Sequence, residues 1–287
     1  MAQSHDEAIL IQFEESLTRS ALAATTIINY LADLRTFLRW GQQEIGQHFS
    51  LAHVTQDHIR LYRYHLAQEL HRASATVNRH LMALRKFFTW ATELTLIRLD
   101  PTSGVSLVQE DGQAPSRPLS EAEIEQLLAA AQQGSRPGLA RRDAAILQLL
   151  LHTGLRVSEI ANLQREDVQF DDPGVHLIVR SQPKERFLPL PPKAHKALLE
   201  YLQIRPQTVI TDHLFLCQDG RPLSQRTVQR IINDCARAVG LDDVSAQSLR
   251  RTFALHLLSE TGDLELVSER LGHQNKAITE QYLSVHD

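Results

Sequence analysis

Through the first hundred residues, apolar positions recur every three or four residues with polar ones between them, the pattern of helices that bury one face. Ile9, Phe13 and Leu17 make one stripe, and Tyr30, Leu34, Phe37 and Leu38 a second. Ile59, Tyr62 and Leu66 make a third, and Val77, Leu81, Leu84 and Phe88 a fourth. Each stripe follows a residue that can cap a helix: Ser4, with Glu7 completing a capping box, then Thr25 or Thr26, Thr55, and Ser74. Four such faces bury themselves against one another, so residues 1–100 are expected to form a small four-helix bundle. At Pro101 the pattern stops. From there to Pro118 the chain holds three prolines, two glycines and little periodicity, and residues 101–118 are expected to be an unstructured linker.

Periodicity resumes in residues 119–287. Ser120 and Glu123 can form a capping box ahead of Ile124, Leu127 and Leu128, and an apolar helix is expected over 144–151. Gly154 suits a left-handed helix stop, after which Arg156 opens another helix. The β-rich runs 175–180 and 187–190 predict a hairpin. Further helices are expected over 193–203, 224–239, 246–259 and 264–271. The fold class expected is therefore mainly α, with one small antiparallel β element in the second domain.

Composition narrows the classes of function. At 287 residues, 43% hydrophobic and 22% charged, the chain has room for two soluble domains. Apolar runs such as 144–151 are too short to cross a bilayer, and the polar start lacks a signal-peptide core, so a cytoplasmic location is expected. Cys217 and Cys235 are too few for a disulfide framework or a metal set and are read as core thiols. A net charge of −4 counts mildly against nucleic-acid binding. Its distribution counts for it. From Asp57 to Lys86 the cations Arg60, Arg63, Arg72, Arg79, Arg85 and Lys86 face only Asp57 and Glu69. Arg79, Arg85 and Lys86 lie off the apolar stripe of their helix and are expected to be free to meet a partner.

Candidate chemistry gathers at the C-terminus, where His273 precedes Tyr282 by nine positions. A phenol with an ordinary pKa near ~10 attacks poorly at neutral pH unless fixed positive charge stabilises the transition state. Phosphodiesters allow that. Arg156 follows a glycine turn, Arg250 lies within a helical segment, and His273 follows another glycine turn. Each has a plain structural explanation when taken alone; their order and spacing together do not.

Thr153-Gly154-Leu155-Arg156-x-Ser158-Glu159, Leu249-Arg250-x-Thr252-Phe253-Ala254, Leu271-Gly272-His273 and Tyr282 resemble the tyrosine recombinase (phage integrase) family, in the branch of the chromosome-dimer recombinases. In the first domain, Tyr30-x-x-Asp33-Leu34-x-x-Phe37-x-x-Trp40 and Thr76-Val77-Asn78-Arg79-x-Leu81-x-Ala83-Leu84-Arg85 look like that family's core-binding helices. The resemblance implies a core-binding domain over 1–100 and a catalytic domain over 119–287 that close on double-stranded DNA at specific recombination sites. It further implies that Tyr282 attacks a phosphodiester, leaving a 3′-phosphotyrosine and a free 5′-hydroxyl. Arg156 and Arg250 would hold the non-bridging oxygens, His273 would donate a hydrogen bond, and Glu159 would buttress the site. No metal or other cofactor is implied. A homotetramer on two duplexes, or a partner recombinase, is the implied assembly.

Two positions depart from the family pattern. Gln247 stands where a histidine is usual, and Ser181 fills the slot of the usual hairpin lysine, which leaves Lys184, or else Arg180, as candidate proton donor. Relatives also commonly carry a docking helix beyond the tyrosine, where five residues follow Tyr282; no exchange of a long tail is expected. Two alternative functions follow from these departures and from the shared chemistry: a DNA-binding accessory protein whose catalysis has decayed, and a nicking-closing enzyme of the topoisomerase kind.

Overall fold

The computed structural model describes residues 2–20, 22, 24–109, 116–134, 137–171, 174–181, 184–206, 211–273 and 275–283, with the side chains of 2–5, 137, 181, 184 and 281 outside that description. The chain forms two compact units, residues 1–113 and 114–287.

In the first unit, helices α1 (Ala2–Arg19), α2 (Ala24–Glu44), α3 (Gln56–Tyr64) and α4 (Ser74–Glu93) carry the four stripes. Leu10, Phe13, Leu34, Phe37, Ile59, Val77 and Phe88 are fully buried in one core. Burying each such side chain contributes roughly 1.5–3 kcal/mol, so the stripes decide the packing. Thr55 caps α3 in a capping box with His58. The other expected caps are displaced. Helix α1 already includes Ser4, α2 already includes Thr25 and Thr26, and Ser74 is the first residue of α4 behind Ala73.

Arg79 and Arg85 are not free, contrary to the expectation from their position off the stripe. Arg79 pairs with Asp33, a carboxylate buried in α2 that also lies 3.5 Å from His80. Arg85 donates to the carbonyl of Val105. The physical reason is that a buried carboxylate and an irregular backbone segment both need donors, and a helix arginine supplies several. Lys86 is exposed, and Arg79 keeps about half of its side chain in solvent.

The linker expectation also needs correction over its first half. Pro101, Thr102 and Val105 are buried, and residues 101–109 form a strap along the first unit. Asn78 holds Val108 by both of its backbone groups, at 2.9 and 3.0 Å, and Arg63 donates to the Ser106 carbonyl at 2.8 Å. These ties run from side chains to backbone carbonyls and amides, so they leave no periodic trace in composition. Residues 110–115 lie outside the described residues. Arg117 already belongs to the second unit, bridging Glu123 and Asp243.

The second unit begins with α5 (Glu121–Gln132), capped by the expected Ser120–Glu123 box, and α6 (Pro137–Thr153). A short α7 (Val157–Asn162) leads to a three-stranded antiparallel sheet in the order β1 (Val168–Asp171), β2 (Gly174–Ser181), β3 (Lys184–Pro189). The hairpin pairs Ser181 with Lys184 and Val179 with Arg186; β1, four residues long, was not anticipated. Helices α8 (Pro192–Ile204), α9 (Gln225–Ala238), α10 (Ala246–Thr261), α11 (Leu264–Leu271) and α12 (Lys276–Leu283) complete the unit. Cys217 and Cys235 pack at the margin of its core, partly buried. Among the described residues no helix is long and apolar enough to cross a membrane.

Candidate active site

Two glycine turns bring the candidate residues together. Gly154 ends α6 at φ +61°, and a Cβ there would lie 2.3 Å from the Phe253 ring, so only glycine lets α10 approach. Two residues on, Arg156 stands at the N-cap of α7, where Glu159 binds it twice: Oε2 accepts from the Arg156 backbone N–H at 2.7 Å, and Oε1 from its guanidinium at 3.1 Å. Gly272 ends α11 at φ +64°, turning His273 back toward α10.

Helix α10 supplies Arg250, which is 5% exposed. Its guanidinium donates to the Gly154 carbonyl, to the Leu271 carbonyl at 2.5 Å and to His273 Nε2 at 3.3 Å, joining both turns. Arg156 reaches the Gly272 carbonyl at 3.4 Å. Because Arg250 donates to Nε2, the proton of a neutral His273 sits on Nδ1, within 2.9 Å of the Thr279 hydroxyl. Thr279 is fully buried in α12 and orients the ring. Three residues later, Tyr282 is half-buried, meets the His273 ring edge-on at 5.8 Å, and points its hydroxyl at the Gln247 main-chain carbonyl, 3.4 Å away.

Charge in the cluster is lopsided. Arg156, Arg186 and Arg250 share one carboxylate, Glu159. Burial, and then repulsion from Arg156, pushes Arg250 down to about 10. Burial, and then Arg250, Arg156 and Arg186, pushes His273 down to about 4, so the imidazole is neutral at pH 7 and acts as a hydrogen-bonding group. Burial raises the Tyr282 phenol, against the pull of Arg250 and Arg251. An anion bearing several acceptor oxygens would relieve this imbalance, and planar guanidinium forks match phosphate geometry.

The structure thus brings Arg156, Arg250, His273 and Tyr282 into one constellation, with Glu159 behind it. Gln247 stands beside the tyrosine, but the contact is its carbonyl, and its side chain is exposed. Lys184 opens β3 opposite Ser181, and neither side chain is among the described ones. Arg180 borders, with Arg156, Ser158 and Glu159, a cavity of about 370 Å³. It is held there by Glu166 at 2.7 Å and Asp167 at 2.8 Å. Arg79, Arg85 and Lys86 belong to the other unit.

Three residues were missed from sequence. Arg186, 6% exposed, pairs with Glu159, donates to the Arg270 carbonyl at 2.7 Å, and lies so close over Gly272 that a Cβ there would meet its guanidinium at 2.9 Å. Thr279 and Arg251 are the others. For Arg186 a signal existed: it shares strand parity with the apolar Leu188, which marks an inward position.

Comparison with known proteins agrees with this geometry. The phage integrase family model matches residues 117–287, and the model of the phage integrase N-terminal SAM-like domain matches residues 10–93. The chain belongs to the phage integrase family. It is 32% identical over 267 residues to tyrosine recombinase XerC of Staphylococcus haemolyticus, covering 92% of this chain and 87% of that one. It is 33% identical over 269 residues to tyrosine recombinase XerC of Roseiflexus castenholzii, covering 91% and 83%. Among solved structures, the XerH site-specific recombinase bound to its palindromic difH substrate, a post-cleavage complex, aligns with a TM-score of 0.74 at 22% identity over 90% of this chain and 76% of that one. At that identity the likeness speaks for the fold.

Proposed function

We propose that this chain is a site-specific recombinase that breaks and rejoins double-stranded DNA through a 3′-phosphotyrosyl intermediate. The observation that carries the reading is that Arg250, gathered with Arg156 and Arg186 around Glu159, also joins both glycine turns to His273, whose ring meets Tyr282. Tyr282 Oη attacks phosphorus, the bond to the 5′-oxygen breaks, and the ester energy is kept in the phosphotyrosine. Arg156 and Arg250 hold the non-bridging oxygens, as electrostatic stabilisation of phosphoryl transfer requires. Once the phosphate displaces Arg250 from Nε2, His273 takes the other neutral tautomer: the Thr279 hydroxyl donates to Nδ1, and the Nε2–H donates to a phosphate oxygen. Attack by a 5′-hydroxyl from a second duplex reverses the step on a new partner, which calls for further copies of this chain or of a related recombinase. Such a protein works where the chromosome is, in the cytoplasm.

The test is a duplex nicked beside the cleavage position, which loses its short 5′-hydroxyl fragment and so traps the intermediate. A covalent adduct is expected on the tryptic peptide that follows Lys276. No adduct, with binding intact, would leave the DNA-binding accessory function in its place. Supercoil relaxation without recombinant product would favour the nicking-closing enzyme.

For the leaving 5′-oxygen we assign Lys184 as proton donor. It has the strand parity of Arg186, two residues on, whose guanidinium meets Glu159. Arg180 is the weaker candidate because Glu166 and Asp167 engage it and a guanidinium does not release its proton at neutral pH. Lys184→Ala is expected to slow cleavage about 10²-fold. A 5′-bridging phosphorothioate, whose sulfur leaves without a proton, is expected to restore the rate; failure to restore it removes Lys184 from this role.

A further inference from the structure

We propose that Arg251 is a positioning residue for the nucleophile: its buried guanidinium lies beneath the Tyr282 ring, ties α12 to α10 within one chain, and favours the phenolate that attacks phosphorus. The inference rests on the recombinase reading above and deepens it.

Arg251 directly follows Arg250, and the helical turn of about 100° between neighbours sends the two guanidiniums to different places. Arg250 faces the glycine turns. Arg251 faces α12. It is 2% exposed and ranks among the largest fully buried side chains of the described residues. Its guanidinium carbon is 5.8 Å from the centroid of the Tyr282 ring, and its Nη2 donates to the Leu283 carbonyl at 3.3 Å. Its Nε is buried without a hydrogen-bond partner, and among the described residues no carboxylate pairs with it. A buried cation left so thinly compensated is costly. What compensates it comes from α12: the ring face, and a carbonyl at the negative end of the helix.

That arrangement discriminates between the two states of the tyrosine. The phenol presents a weak quadrupole to the cation, whereas the phenolate presents a full negative charge, so the guanidinium binds the ionised state more strongly. Around the pair the surroundings are apolar, with Phe253, Ala254, Val267 and Leu271 in one cluster against which Tyr282 and Leu283 pack. Burial there raises the phenol, and the charges that pull it down are Arg250 and Arg251. His273 meets the ring edge-on but is neutral. The hydroxyl itself touches a main-chain carbonyl, which takes no proton. In the attack, therefore, the phenol proton passes to solvent, the oxygen bonds to phosphorus, and the bond to the 5′-oxygen breaks. Arg251 stabilises the anion that exists in between, in a site where Gln247 replaces a histidine.

The test reads Tyr282 directly. Phenolate absorbance is titrated in the full-length protein and in Arg251→Met, each corrected by subtracting its Tyr282→Phe counterpart. Loss of the guanidinium is expected to raise the Tyr282 midpoint by about one pH unit, and Arg251→Lys, which keeps the charge, is expected to hold it near the parent value. Adduct formation on nicked DNA by Arg251→Met is expected to fall about tenfold at neutral pH and to recover as the pH rises through the new midpoint. An unchanged midpoint in Arg251→Met, or a lysine variant that shifts as far as methionine, overturns the proposal. Should circular dichroism show Arg251→Met unfolded, Arg251→Gln, which keeps a polar side chain without the charge, is read by the same criteria. The titration needs no DNA, so its outcome stands apart from whether an adduct is trapped.

Discussion

Replacing Arg250 by alanine is expected to slow covalent adduct formation by about 10²-fold or more and to loosen the catalytic unit at the same time. The first effect follows from the lost charge. One fixed donor aimed at a developing oxyanion is worth roughly 10²–10³ in rate, and Arg250 is the most buried of the residues that face the phosphate in the proposed reaction. The second follows from the carbonyls of Gly154 and Leu271, which both lose their donor. A buried acceptor left unpaired costs about 1–3 kcal/mol. Arg250→Lys is expected to recover little, because one ammonium cannot span two carbonyls and a phosphate as a planar fork can. Single-turnover cleavage of nicked DNA and urea unfolding separate the two effects. A variant that cleaves at the parent rate would place the phosphate elsewhere; one that cleaves slowly with unchanged unfolding would show that other donors satisfy the turns.

How much of this was legible depends on the kind of force that each residue answers to. The helical stripes could be read because burial of one face imposes a period, and Phe13, Phe37, Tyr62 and Phe88 are buried as the period requires. The strap of residues 101–109 could not, because its ties are made by Asn78, Arg63 and Arg85 to backbone groups that every residue carries. Strand β1 escaped because four residues, of which Val168 alone is buried, hold no usable alternation. In the site, Arg156, Arg250, His273 and Tyr282 stood out through their resemblance to a family pattern, and Gly154 and Gly272 through the turns they permit. Arg186, Arg251 and Thr279 did not. A buried arginine and a surface arginine are the same letter, and only the partners acquired on folding tell them apart.

The partners of Arg186 yield the sharpest stability prediction. Glu159 and Arg186 expose only 8% and 5% of their side chains, and among the described residues Glu159 is the carboxylate that pairs with both Arg156 and Arg186. Burial already disfavours the Arg186 charge, and Arg156 adds repulsion, so the Glu159 attraction is what offsets part of both. Glu159→Ala leaves a buried cation with one carbonyl partner, that of Arg270, and is expected to destabilise the protein by about 3–5 kcal/mol. Removing both members is expected to cost less than removing Glu159 alone. In Glu159→Ala/Arg186→Met the buried Arg186 charge goes together with its partner, and a methionine, which reaches about as far as the Arg186 Nε, can still lie over Gly272. Cleavage should not follow stability back. Glu159 also accepts from the backbone N–H and the guanidinium of Arg156, so the double variant regains its fold while Arg156 stays untethered and slow. Urea midpoints and single-turnover rates of the single and double variants decide it. A double variant less stable than Glu159→Ala would mean that Arg186 holds the turn at Gly272 by itself, with the carboxylate as a bystander.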